Sequence, residues 1–152
     1  MTVALRRSRP TLLTDQIRYV DSHASASYLP AVGTFRVPVE IGDATGRVWE
    51  PVGELVDTGA TYTTVPAALL DRLGVRPHAR ASFVLADGRE IELDIGQTWI
   101  RVGDRAVVTV VVFAPDTAPV LLGAYALEGL CLAADPVGRR LVPVPALFLT
   151  AH

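Results

Sequence analysis

Lysine is absent from this 152-residue chain, and cysteine and methionine occur once each. Arginine and histidine are therefore the only basic side chains, and the formal net charge is −2. That balance leaves no basic footprint for nucleic acid. A single cysteine cannot close a disulfide within the chain. Cys131 lies in "EGLCLAA", an apolar setting that suits a core thiol rather than a nucleophile. His23, His78 and His152 are scattered along the chain and match no metal-ligand spacing. No apolar run is long enough to span a bilayer, which excludes a transmembrane helix. Arg6, Arg7 and Arg9 are followed only by "TLL", where a signal peptide needs a longer apolar stretch. The expectation is a cytoplasmic protein with no metal, no cofactor, no nucleic-acid partner and no membrane association.

What is present is apolar content. Half of the residues are hydrophobic, enough for one domain with its own core. Residues 1–32 mix Arg, Ser, Thr, Asp and Pro without a sustained period and read as a flexible N-terminal extension. A folded domain is expected over 33–145, with a C-terminal tail over 146–152. Within the domain "TFRVPVEI" alternates, "GDATGR" turns the chain, and "VWEPVGELV" runs extended into Asp57. "TYTTV" is strand-like, and "PAALLDRLG" reads as a short helix with Pro66 in its first turn and Gly74 at its end. "ASFVLA" and "REIELDI" flank Asp87-Gly88, a dipeptide favoured in two-residue hairpin turns. Further strands are expected at "TWIRVG", "AVVTVVVF", "PVLLG" and "RRLVPV", with a second short helix at "AYALEGL". Many short strands and two brief helices predict an all-β fold, a small barrel or sandwich. No internal repeat is present.

The stretch with chemical potential is "ELVDTGATYTTVP", Glu54 to Pro66. An aspartate followed by Thr-Gly is by itself an ordinary turn. Its surroundings are less ordinary: Leu55-Val56 precede Asp57-Thr58-Gly59-Ala60-Thr61, and Leu85-Ala86-Asp87-Gly88-Arg89 follow with Asp87 thirty residues on. Leu121-Leu122-Gly123 then leads into the second helical segment. This order and spacing resembles the retropepsin-like aspartic proteases, in their bacterial branch, over roughly Gly33 to Val144.

The resemblance implies a small closed β-barrel with a β-hairpin flap and one or two short helices. It implies that Asp57 is the catalytic carboxylate and that Thr58, Gly59, Ala60 and Thr61 support its loop. Leu85, Ala86, Asp87 and Gly88 would form the flap over a peptide or protein substrate, and Leu121, Leu122 and Gly123 would pack beneath the loop. Hydrolysis in this family uses one carboxylate as general base for water and another as general acid. Two carboxyls about 3 Å apart cannot both ionise, so they share a proton. Only one Asp-Thr-Gly is present, so the implied site needs a C2 homodimer with both Asp57 residues on the axis. Thr58 hydroxyls would lock the two loops together.

The chain departs from the retroviral pattern in two linked places. The Asp and Arg that form an ion pair near the retroviral dimer interface are replaced by Thr61 and Ala124. Residues 1–31 lie outside the resemblance and read as an upstream over-extension of the frame or as a pro-segment that the protease removes. Asp94 reads as a solvated strand position, Asp116 and Asp135 as loop residues, and Trp49 and Trp99 as packing residues. The competing function is a non-catalytic dimerising or peptide-binding module on the same fold.

Overall fold

The computed structural model describes residues 34–85 and 87–148. The extension expected over 1–32 lies outside them, as do Ala86 and residues 149–152. The elements are β1 (Phe35–Gly42), β2 (Trp49–Val56), β3 (Thr63–Pro66), α1 (Ala67–Arg72), β4 (Pro77–Val84), β5 (Glu90–Val102), β6 (Arg105–Ala114), β7 (Leu121–Leu122), α2 (Ala124–Gly129), β8 (Leu132–Asp135) and β9 (Arg140–Pro143). Among the described residues the architecture is mostly β, with two helices of six residues each. Among the described residues no helix is long and apolar enough to cross a membrane.

Seven strands form one sheet in the order β1-β2-β7-β3-β6-β5-β4, and β1 also pairs with β5. That extra pairing turns the first six strands into a hydrogen-bonded ring, with β4 hanging outside it on β5. The closure is narrow, made by Glu40 opposite Arg101 and Ile41 opposite Ile100. Arg101 reinforces it: its Nε and Nη2 bond the two Glu40 oxygens at 2.6 and 2.8 Å, and its guanidinium lies 4.1 Å above the Trp49 ring. Trp49 is thus held as packing, with its Nε1 donating to Gly46 O at 3.0 Å.

The alternation of β1 sorts its side chains. Phe35, Val39 and Ile41 are buried in the core, while Arg36 is exposed. Its antiparallel partner β2 places Val56, Glu54 and Val52 opposite Phe35, Val37 and Val39. Ile41, Val65, Leu70, Val75, Ile100, Val111 and Leu122 are fully buried, and each such side chain contributes about 1.5–3 kcal/mol by leaving water.

Several elements differ from the sequence expectation. "REIELDI" and "TWIRVG" are one 13-residue strand, β5. Gly96 does not interrupt it but allows it to pass close to its neighbours: a Cβ there would lie 2.9 Å from Arg76 O and 3.0 Å from the Phe113 ring. β8 was not expected, and Asp135 ends it rather than lying in a loop. Its carboxylate accepts from Gly138 N at 2.9 Å and Arg140 Nε at 3.2 Å, closing the turn to β9. Pro66 occupies the N-cap of α1 rather than its first turn. The α1 amide of Ala68 is satisfied from a distant loop, by Asp116 Oδ1 at 2.9 Å. Cys131 is only half-buried and sits at φ +53° just past α2, so it is not the enclosed core thiol expected.

Candidate active site

The loop after β2 is fastened by strand pairing on one side and by α2 on the other. Leu55 and Val56 pair in parallel with Leu121 and Leu122 of β7. Leu55 N donates to Val120 O at 3.0 Å, and Asp57 N donates to Leu122 O at 3.1 Å. Asp57 therefore leaves the strand with its backbone still tied to β7. Its Oδ1 accepts from Gly59 N at 2.9 Å, and its carbonyl accepts from Ala60 N at 3.3 Å. These bonds form the compact turn that Asp-Thr-Gly favours.

The other carboxylate oxygen has no such partner. Asp57 is 5% exposed, and its Oδ2 is buried without a hydrogen bond among the described residues. Burial raises the Asp57 pKa above the usual carboxylate value, against the opposing pull of the Gly59 and Ala60 amides. A buried polar atom left unsatisfied is uncommon and calls for a reason.

Gly123 locks the far side of the loop. Its amide donates to the buried Thr63 Oγ1 at 3.1 Å, Ala124 N donates to Ala60 O at 2.8 Å, and Tyr125 N donates to Thr61 O at 3.0 Å. A Cβ at Gly123 would lie 2.6 Å from Tyr62 C and 2.7 Å from Tyr62 O, distances that backbone cannot absorb without moving. Gly123→Ala is therefore expected to destabilise the protein by about 1–3 kcal/mol, read from the midpoint of a urea melt. Thr63→Val keeps the shape but leaves the Gly123 amide buried without an acceptor, at a cost of about 1–3 kcal/mol, read in the same melt.

The positions that carry an ion pair in the retroviral pattern are joined differently here. Thr61 and Ala124 lie on the two segments that these backbone bonds connect. One residue further on, Tyr62 and Tyr125 meet edge to face, with ring centroids 5.8 Å apart. Tyr125 remains 52% exposed. Thr58 is exposed, and its hydroxyl has no hydrogen-bond partner among the described residues.

The hairpin expected as a flap is present, but its turn is not the two-residue form. Leu85 N donates to Arg89 O at 2.7 Å, and Gly88 N donates to Leu85 O at 3.0 Å. Leu85 and Arg89 thus face each other with three residues between them, and Gly88 takes φ +85°. This is the longer hairpin in which a left-handed glycine ends the turn. Leu85 is buried, while Asp87 and Gly88 are exposed; Ala86 lies outside the described residues. Asp87 is engaged within its own turn. Its Oδ2 takes Arg89 Nε at 2.7 Å and its Oδ1 takes Arg89 N at 3.0 Å, contacts that hold its pKa low.

One residue of consequence went unnoticed in the sequence. Glu54, three residues before Asp57, is 0% exposed, and neither carboxylate oxygen has a hydrogen-bond partner among the described residues. Burial alone pushes its pKa up to about 8. Val52 and Val56 share its face of β2, but it is pairing with β1 that turns that face inward.

The family model described as gag-polyprotein putative aspartyl protease matches residues 49–129, from the first residue of β2 to the last of α2. Among solved structures, the EIAV protease complexed with the inhibitor HBY-793 is similar at 23% sequence identity. That match covers 61% of this chain and 84% of the other, with a TM-score of 0.44. No curated protein matches.

Proposed function

The chain belongs to the gag-polyprotein putative aspartyl protease family, and from that premise we propose that it is an aspartic endopeptidase acting as a homodimer. The observation that carries this reading is the Asp57 carboxyl, buried with one oxygen unpartnered in a loop tied to Leu122, Ala124 and Tyr125. A second copy supplies the missing carboxyl: the sequence holds one Asp-Thr-Gly, and Glu54 faces the core. The exposed hydroxyl of Thr58 is then available to the partner loop.

With both Asp57 side chains on the two-fold axis, one is neutral and one ionised. The ionised carboxylate takes a proton from water as the water oxygen attacks the peptide carbonyl carbon. The neutral acid gives its proton to the carbonyl oxygen. The C–N bond then breaks as the nitrogen is protonated, leaving a carboxyl and an amine terminus. The Asp87–Gly88 hairpin closes over an extended peptide, and no cofactor takes part. The joint replacement at Thr61 and Ala124 supports a branch of the family other than the retroviral one.

Cleavage of a peptide library by the full chain, scanned from mildly acidic to neutral pH, tests this reading. Specific activity is expected to fall on dilution in step with dimer dissociation seen by sedimentation, because a monomer holds half a site. Cleavage that is independent of dilution, by a protein that is monomeric throughout, overturns the shared dyad. A dimer that cuts nothing supports the peptide-binding module instead.

A further inference from the structure

A carboxyl facing a hydrocarbon core needs an explanation, and Glu54 sits on the strand that delivers Asp57. The register defines its surroundings. Val37 of β1 lies directly opposite it, with Phe35 and Val39 on either side. Val52 and Val56 flank it on its own strand. On β7's side, one residue back from the Leu55–Leu121 pair, is Val120. Phe35, Val39 and Val56 belong to the buried core, and Val37, Val52 and Val120 pack against it.

The charged groups of these elements are engaged elsewhere. Arg36 and Glu40 occupy the alternate positions of β1; Arg36 Nη1 reaches Gly53 O and Glu40 is clamped by Arg101. Glu50 shares the parity of Glu54, but its carboxylate is bound to Arg72. No charge or hydrogen bond among the described residues offsets an ionised Glu54, and burial is the only influence on its titration.

We propose that Glu54 is a positioning residue for Asp57. As a neutral acid it allows β2 to lie in the core and hold the catalytic loop; on losing its proton to solvent it drives β2 outward and releases that loop, which sets the alkaline limit of the site. The lever is short. Leu55, next in sequence, and Asp57 both donate their amides to the β7 segment, so a β2 displaced at Glu54 loosens the bonds that fix the carboxylate. The functional half of this inference rests on the peptidase reading; the conformational half stands without it.

The test uses the full-length dimer, with amide exchange at Asp57 and the side-chain carboxyl resonance of Glu54 followed by NMR from pH 5 to pH 9. Glu54→Gln assigns the resonance and serves as the neutral mimic; Glu54→Met keeps the test open should Gln fail to fold. In the wild type the Glu54 carboxyl is expected to titrate near pH 8. About a quarter of it would remain neutral at pH 8.5. Relative to pH 6, and after correction for intrinsic exchange, Asp57 protection should fall there in the wild type and not in the variants, and the wild-type kcat should fall about fourfold further than that of the variants, whose decline follows the dyad alone. Titration of Glu54 in the ordinary carboxylate range overturns the proposal. So does an alkaline loss of Asp57 protection that the variants share. If the resonance and protection change together but the wild type cuts no peptide at any pH, the coupling of Glu54 to the loop is upheld and the peptidase reading fails.

Discussion

Asp57→Asn is expected to lower peptide hydrolysis by about 10³-fold or more, with the fold retained. Asn has the shape of Asp and keeps an oxygen for the Gly59 amide, which lies 2.9 Å from Oδ1, so the turn survives. Its amide cannot take a proton from water, and it carries no titratable proton to give. The stability change has a sign that separates this outcome from unfolding. Burial raises the Asp57 pKa, so the folded state either binds a proton that the unfolded chain does not hold at neutral pH or buries a charge. Either outcome costs the wild type free energy at neutral pH, and Asn avoids both. A urea melt at neutral pH should therefore show the variant at least as stable as the wild type.

Mixing the two chains makes the prediction sharper. If both Asp57 residues form one site, a hybrid dimer is inactive and activity scales as the square of the wild-type fraction. If each chain worked alone, activity would scale linearly. Retention of cleavage by Asp57→Asn alone, or a linear dependence on the wild-type fraction, sinks the assignment.

The loop that holds Asp57 was legible because its signals are local. An apolar pair, an Asx-type turn and a Gly ahead of a short helix each act over a few residues, and the structure joins Asp57 to Leu122 and Ala60 to Ala124 as that order implies. Most strands were legible for the same reason, since β1 and β6 are rich in β-branched residues. What was missed depends on contacts distant in sequence. β5 was divided at Gly96, because glycine usually ends a strand; here it accommodates Arg76 and Phe113. β8 reads "LAAD", with no β-branched residue, and forms because β9 pairs with it.

Glu54 is the instructive omission. Along β2 one set of alternate residues is Trp49, Pro51, Gly53 and Leu55, and the other is Glu50, Val52, Glu54 and Val56. Neither set is cleanly apolar, so pattern alone cannot say which faces inward. Pairing with β1 decides it: Val56 lies opposite Phe35 and Val52 opposite Val39, and Glu54 is carried inward between them.

Glu54→Leu is expected to stabilise the protein at pH 7 by about 3 kcal/mol, judged from the distance between pH 7 and the ordinary glutamate pKa at about 1.4 kcal/mol per unit. The folded-state value, about 8, lies above the ordinary glutamate value of 4.5. Between those two pH values the folded state binds more protons than the unfolded chain. The wild type is thus penalised progressively as pH rises through that window, with no penalty below it and a constant one above it. Leucine has a similar volume, adds apolar contact with Val37 and Val120, and leaves no orphaned oxygens. Denaturant melts of the two proteins should agree near pH 4, apart from that packing gain, and diverge up to pH 8. A gap that does not widen with pH would mean that Glu54 is ionised in the folded state at neutral pH. A wild type less stable than its simplest core substitution keeps Glu54 at a cost. The cost is intelligible if the protonated side chain confines a proton-sharing site to the acid and neutral range, where one of its two Asp57 carboxyls still holds its proton.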